Sequence, residues 1–138
     1  MASLKGSKTA ENLMKAFAGE SQARMRYNYY AKVAKEEGFL QISNIFMETA
    51  ENEKTHAKMF YEHLVNNIDP NTMQEINASY PIALGKTLQN LESAANGEHE
   101  EWETLYPAFA KVADDEGFAD IARTFRAVAL VEAKHEAR

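Results

Sequence analysis

The 138-residue chain contains no cysteine, which excludes disulfides, thiol catalysis, zinc ribbons and every cysteine-ligated iron centre within it. Any metal it holds must be bound by histidine and carboxylates. Helix breakers are also scarce, with three prolines and six glycines, while 45% of residues are hydrophobic and 26% charged. That balance favours ordered helix over loops or disorder. No stretch approaches the roughly 20 apolar residues that span a bilayer, and Met1–Lys8 lacks the apolar run of a secretory signal. A cytoplasmic protein with no membrane partner is expected. Runs rich in Lys and Arg are missing too, and the formal net charge is −6. Nucleic acid is therefore not expected as a partner, because that affinity comes from a positive surface releasing counterions.

What is present is helical periodicity. The length suits one domain over residues 1–138 with a sizeable core, and four amphipathic segments fill it. The first begins near Ser7 or Thr9, either of which can cap free N–H groups, and runs to Gly38. Its inner stripe is Leu13, Phe17, Glu20, Tyr27, Ala31 and Ala34. The second carries Ile42, Phe46, Thr49, Glu53, His56, Phe60 and Leu64 on one face and stops near Asn66 to Asp69. Residues 67–81 contain Asp-Pro, Asn-Thr and Tyr-Pro without periodicity, so they read as a long crossover. A third helix is expected from about Ile82, with the stripe Leu84, Leu88, Leu91, Ala95, Glu98, Glu101 and Leu105, distorted near Pro107 and ended by Gly117. The fourth carries Ile121, Phe125, Val128, Glu132 and His135. The fold class is all-α, an antiparallel four-helix bundle.

The second half repeats the first. Between 31–56 and 110–135, 12 of 26 positions are identical, including Ile42/Ile121, Phe46/Phe125, Glu53/Glu132 and His56/His135. The bundle therefore reads as two duplicated helical hairpins. Gly19-Glu20 and Gly97-Glu98 are 78 residues apart, whereas the hairpin turns are 79 apart, so the second half holds one extra residue in a helix. Such an insertion is commonly absorbed as a π-bulge, and π-bulges concentrate at functional sites.

A glutamate on a helix ordinarily faces water. Yet Glu20, Glu53, Glu98 and Glu132 stand where the apolar stripes should continue, at about the same depth in their helices. Burying one isolated carboxylate carries an idealised cost on the order of 20 kcal/mol, so several together must be neutralised, excluded or bound to cations. Residues three apart share a helix face, which lets Glu53 and His56, and likewise Glu132 and His135, each present a carboxylate and an imidazole. Two further glutamates plus two Glu-x-x-His pairs make the ligand inventory of carboxylate-bridged di-iron and di-manganese bundles.

The segments AlaPheAlaGlyGluSerGlnAlaArg (16–24), GluAsnGluLysThrHis (51–56), AsnGlyGluHisGluGlu (96–101) and GluAlaLysHisGlu (132–136) resemble rubrerythrin over nearly the whole chain. The resemblance implies a ferritin-like bundle, commonly a homodimer, whose di-iron site reduces hydrogen peroxide to water and protects cells against oxidants. It implies Glu101 as a seventh ligand, alternating with His56 at one iron: Glu101 in the diferric state, His56 in the diferrous. The other reading of Glu101 is an exposed acid beside Glu100. Tyr27, seven residues after Glu20, and Tyr106 are either ordinary core aromatics or, as the resemblance implies, hydrogen-bond donors to the carboxylates. Tyr29, Tyr30 and Trp102 read as packing or interface residues, and His63 and His99 as exposed.

Oxygen and nitrogen donors without thiolate suit two iron ions, with manganese or zinc as substitutes and an oxide or hydroxide bridge. Typical rubrerythrins append a rubredoxin-like domain with four cysteines. This chain has none, so electrons must come from an external rubredoxin-type donor, or the sequence is a piece of a longer chain. The competing functional class is a ferroxidase or iron-storage protein; a metal-free interaction bundle is a third. A domain swap through 67–81 is compatible with the long crossover.

Overall fold

Ser7 starts the first helix by accepting a hydrogen bond at Oγ from the Ala10 amide, 3.0 Å away. In the computed structural model, which describes residues 3–137, helix α1 then runs Lys8–Glu36 and α2 runs Leu40–Asn67. Met1, Ala2 and Arg138, which the readings of the start of the chain and of one domain over 1–138 include, lie outside the described residues. After an extended crossover come α3 (Thr87–Glu100), a π-helical turn (Glu101–Leu105), α4 (Tyr106–Asp115) and α5 (Ala119–Glu136). No strand occurs among the described residues. Since the backbone stays right-handed helical through Glu100, Glu101 and Tyr106, α3, the π-turn and α4 act as one interrupted helix. Four helical rods result, paired as two hairpins.

Both hairpins turn the same way. Gly38 and Gly117 take positive φ, +87° and +90°, a conformation glycine adopts without a Cβ clash. Each lets the following phenylalanine amide reach back to the helix it leaves: Phe39 N–H to the Ala34 carbonyl and Phe118 N–H to the Ala113 carbonyl, both at 2.8 Å. The stripes of α1, α2 and α5 fall where periodicity places them. Phe17 and Ile42 are partly buried, and the remaining members are buried.

The third helix departs from the sequence expectation. It begins at Thr87 and not near Ile82, and its buried face is Thr87, Asn90, Ala94 and Glu98. Leu84, Leu88, Leu91 and Leu105 are exposed instead, Leu88 by 78%. Polar interactions made elsewhere in the fold decide this rotation. Asn90 exchanges two hydrogen bonds with Gly85, at 2.8 and 2.9 Å, and Glu37 accepts from both the amide and the hydroxyl of Thr87. These fix the first turn and aim the leucines outward. The extra residue of the second half is accommodated as the π-turn, just ahead of Pro107.

Two hydrophobic clusters fill the bundle. One groups Leu13, Phe60, Tyr106, Ile121, Phe125 and Val128; the other groups Ala23, Tyr27, Tyr30, Phe46 and Ala50. Along α1 the first cluster ends at Ala16 and the second begins at Ala23, with Glu20 between them. Along α2 the clusters are separated by Glu53 and His56. The acids thus form a polar layer between two apolar ones.

Candidate metal centre

Each helical rod contributes to this layer. Glu20 comes from α1, Glu53 and His56 from α2, Glu98 from α3, Glu132 and His135 from α5, and all six are buried. They make two overlapping groups of donors. Glu20, Glu53, His56 and Glu132 offer atoms within 4.8 Å of one another, and so do Glu53, Glu98, Glu132 and His135. Glu53 and Glu132 belong to both. The two imidazoles lie nearly parallel, with ring centroids 6.3 Å apart and planes inclined by 25°. His56 Nδ1 is 3.3 Å from Glu132 Oε1 and 3.7 Å from Glu20 Oε1, and His135 Nδ1 is 3.5 Å from Glu53 Oε1. Three-residue spacing explains the pairs: His56 stands one turn beyond Glu53 and His135 one turn beyond Glu132.

The two tyrosines steady one carboxylate each. Tyr27 donates its hydroxyl to Glu98 Oε1 at 3.1 Å, and Tyr106 donates to Glu20 Oε1 at 2.8 Å. Burial and the neighbouring acids push both phenols well above their ordinary range, so they stay protonated and remain donors. Glu101, on the π-turn, stands outside both donor groups. The residue is half-buried, but its Oε2 is shielded and accepts no hydrogen bond. Burial first, then the charge of Glu20, holds its carboxyl well above the usual carboxylate range.

The electrostatics show what the layer is able to hold. Burial raises Glu20, with His56 and Tyr106 pulling the other way; burial and then Glu20 raise Glu132 well above the ordinary value. His56 shows the reverse balance. Burial would lower it, but the carboxylates of Glu132 and Glu20 beside its ring lift it to about 9. Both oxygens of Glu53 and Glu132, Oε2 of Glu20 and Nδ1 of His56 make no hydrogen bond. Each such buried polar atom costs about 1–3 kcal/mol when left unmatched, and oxygen and nitrogen donors at this spacing fit divalent cations. The residues present therefore fit a two-metal group, with Glu53 and Glu132 placed to serve both ions.

Several contributors carry no signal in the sequence. Asn52 reads as an exterior residue of α2, yet its carboxamide nitrogen lies 3.1 Å from His135 Nε2, which leaves Nδ1 as the nitrogen facing the acids. Glu136 reads as solvated surface, yet its carboxylate meets His99 Nδ1 at 2.6 Å and Trp102 Nε1 at 3.0 Å. His99 is exposed as expected. His63 is not fully so: it is half-buried and bonded to Thr124 Oγ1 at 2.8 Å. Tyr30 is a fully buried packing residue.

Comparison with known proteins gives the same picture over the same length. The family model for rubrerythrin matches residues 11–138. Rubrerythrin-1 of Clostridium acetobutylicum is 60% identical over 138 residues, spanning all of this chain and 71% of its own. Rubrerythrin of Clostridium perfringens is 58% identical over 136 residues, spanning 98% of this chain and 69% of its own. The solved structure of nigerythrin in its fully reduced, all-ferrous state superposes with a TM-score of 0.82 at 36% identity, covering 99% of this chain and 68% of that one. No helix among the described residues is long and apolar enough to cross a membrane. With agreement of sequence and fold over nearly every residue, the chain belongs to the rubrerythrin family, di-iron proteins of peroxide and oxidative-stress defence.

Proposed function

We propose that the chain is a di-iron peroxidase that reduces hydrogen peroxide to water, using electrons from a separate rubredoxin-type donor. The observation that carries this reading is that two donor groups share Glu53 and Glu132, neither of whose buried oxygens makes a hydrogen bond. In this reading Glu20, His56, Glu53 and Glu132 hold one ion, and Glu98, His135, Glu53 and Glu132 the other. When bound, two ferrous ions supply the two electrons that O–O cleavage consumes. The protein's own groups do the rest. Tyr27 and Tyr106 hold Glu98 and Glu20 in place, the apolar layers on either side exclude bulk water, and Glu101 stands ready to replace His56 as a ligand after oxidation.

Proton balance also has a candidate in this layer. Reduction of one hydrogen peroxide to two waters takes two protons along with two electrons. Glu101 favours its protonated form and would release one of these protons on becoming a ligand in place of His56. The exposed leucines at and just before the start of α3 support a homodimer, since Leu84 and Leu88 offer apolar surface that this fold does not cover.

Anaerobic titration of the iron-loaded, reduced protein with hydrogen peroxide, together with metal counting, tests the proposal. Two metals and one peroxide per chain are expected. Oxidation by dioxygen at a comparable or greater rate would overturn the assignment of peroxide as the substrate.

A further inference from the structure

A pocket of about 410 Å³ lies beside the acid layer, and Glu101 and Tyr106 are among its walls. Both connect it to the proposed site: Tyr106 donates to Glu20 at 2.8 Å, and Glu101 Oε2 is shielded and accepts no hydrogen bond. Most of the surface that lines it is apolar, with Ala16, Leu105, Phe109 and Pro81 contributing, while Lys15, Arg26 and Glu100 add charge. Tyr80 of the crossover closes one side and is tied down by donating its hydroxyl to the Lys15 carbonyl at 2.9 Å. Gly19 carries no side chain at this wall, and a Cβ there would already meet the Tyr80 ring at 3.5 Å.

Size and lining both exceed what hydrogen peroxide needs. A water molecule occupies about 30 Å³ in the liquid, and hydrogen peroxide is a small multiple of that. It also has no apolar part to set against leucine and phenylalanine. A ligand with one peroxide end and one hydrocarbon end matches both features, because small-molecule sites pair an apolar cavity with few polar groups.

We propose that this pocket takes the hydrocarbon tail of an organic hydroperoxide, ROOH, with the peroxide end toward Glu101. The inference rests on the peroxidase reading above and widens its substrate class. The reaction balances as ROOH plus two electrons and two protons giving ROH and water. The O–O bond breaks, each oxygen gains one electron and one proton, and the reduced two-iron centre supplies the electrons.

Stopped-flow oxidation of the reduced, iron-loaded protein by cumene hydroperoxide and by hydrogen peroxide tests this. The expected rate constant for cumene hydroperoxide is within a hundredfold of that for hydrogen peroxide, and in Ala78→Trp, which narrows the pocket from the crossover, the ratio of the two falls at least tenfold. A slower cumene hydroperoxide reaction, or a ratio unmoved by Ala78→Trp, overturns the inference while leaving the peroxidase reading intact. Inertness to hydrogen peroxide itself overturns both. A measurement that needs no turnover is ligand-observed NMR of cumyl alcohol, the expected product, with the zinc-substituted protein. Saturable binding is expected, and its absence refutes the pocket's role even if Ala78→Trp fails to fold.

Discussion

Glu116 and Thr9 lie 107 residues apart in sequence, yet the Thr9 amide donates to the Glu116 carboxylate at 2.7 Å, and the Thr9 hydroxyl donates to the same oxygen. The duplicated counterpart is Glu37 with Thr87, where amide and hydroxyl donate at 2.8 and 2.7 Å. Each hairpin turn thus caps the first helix of the other hairpin. A negative group at a helix N-terminus satisfies free amides and complements the helix dipole.

Hydrogen bonds from Thr9 and Lys8 outweigh desolvation and hold Glu116 below its usual carboxylate range. A depressed acid contributes stability above its unfolded pKa and loses it as pH falls through the folded one. Glu116→Ala should cost about 1 kcal/mol at neutral pH. The difference between the thermal melts of the two proteins should shrink as pH falls below the usual carboxylate range, and a difference that persists unchanged in acid would refute the charged cap.

Metal removal should change the sign of the layer's pH response. In chelated protein His56 is raised to about 9, so its contribution is complete below its unfolded pKa near 6.5 and is lost as pH rises through 9. Linkage puts that contribution on the order of 3 kcal/mol. Chelated protein should therefore melt lower at pH 9 than at pH 6. His56→Ala should flatten the trend, and differential scanning calorimetry at both pH values checks it.

Loss of a shared acid should separate the two ions. Glu53→Ala and Glu132→Ala are expected to abolish the paired-metal spectrum and to bind at most one tight iron per chain. An unaltered spectrum in either variant would contradict the bridging assignment. Because Glu132 is destabilised by burial and by Glu20, the metal-free Glu132→Gln protein should melt no lower than its metal-free parent.

Trp102, the only tryptophan, reports on the π-turn. Its indole N–H and His99 both hold Glu136, which follows His135 directly, so this carboxylate joins the turn bearing Glu101 to the helix end bearing His135. Glu136→Ala should shift Trp102 emission to the red and weaken metal retention about tenfold. Glu136→Gln, which still accepts from the indole, should recover much of the emission. Fluorescence and metal counting after dialysis would decide the matter.

How legible these arrangements were in the sequence depends on how local their causes are. Glu53 with His56, and Glu132 with His135, could be read because helix geometry alone puts residues three apart on one face, and the duplication marks both pairs. The π-turn could be read from one inserted residue. Leu84, Leu88 and Leu91 misled because apolar spacing fixes which residues share a face but not which way that face points; Glu37 and Asn90 decide that from outside the stripe. Asn52 and Glu136 were silent for the same reason, since their partners come from other helices.

The crosswise ownership of Glu53 and Glu132 has a mechanical consequence. One acid belongs to the first hairpin and the other to the second, so any ion they share fastens the two half-molecules together at mid-height. Filling the site would then work as a rivet through a seam that is otherwise closed by hydrocarbon, two reciprocal caps and scattered side-chain hydrogen bonds such as Tyr27–Glu98 and Tyr106–Glu20. Loss of metal would be felt first as slippage between halves, well before either hairpin melted.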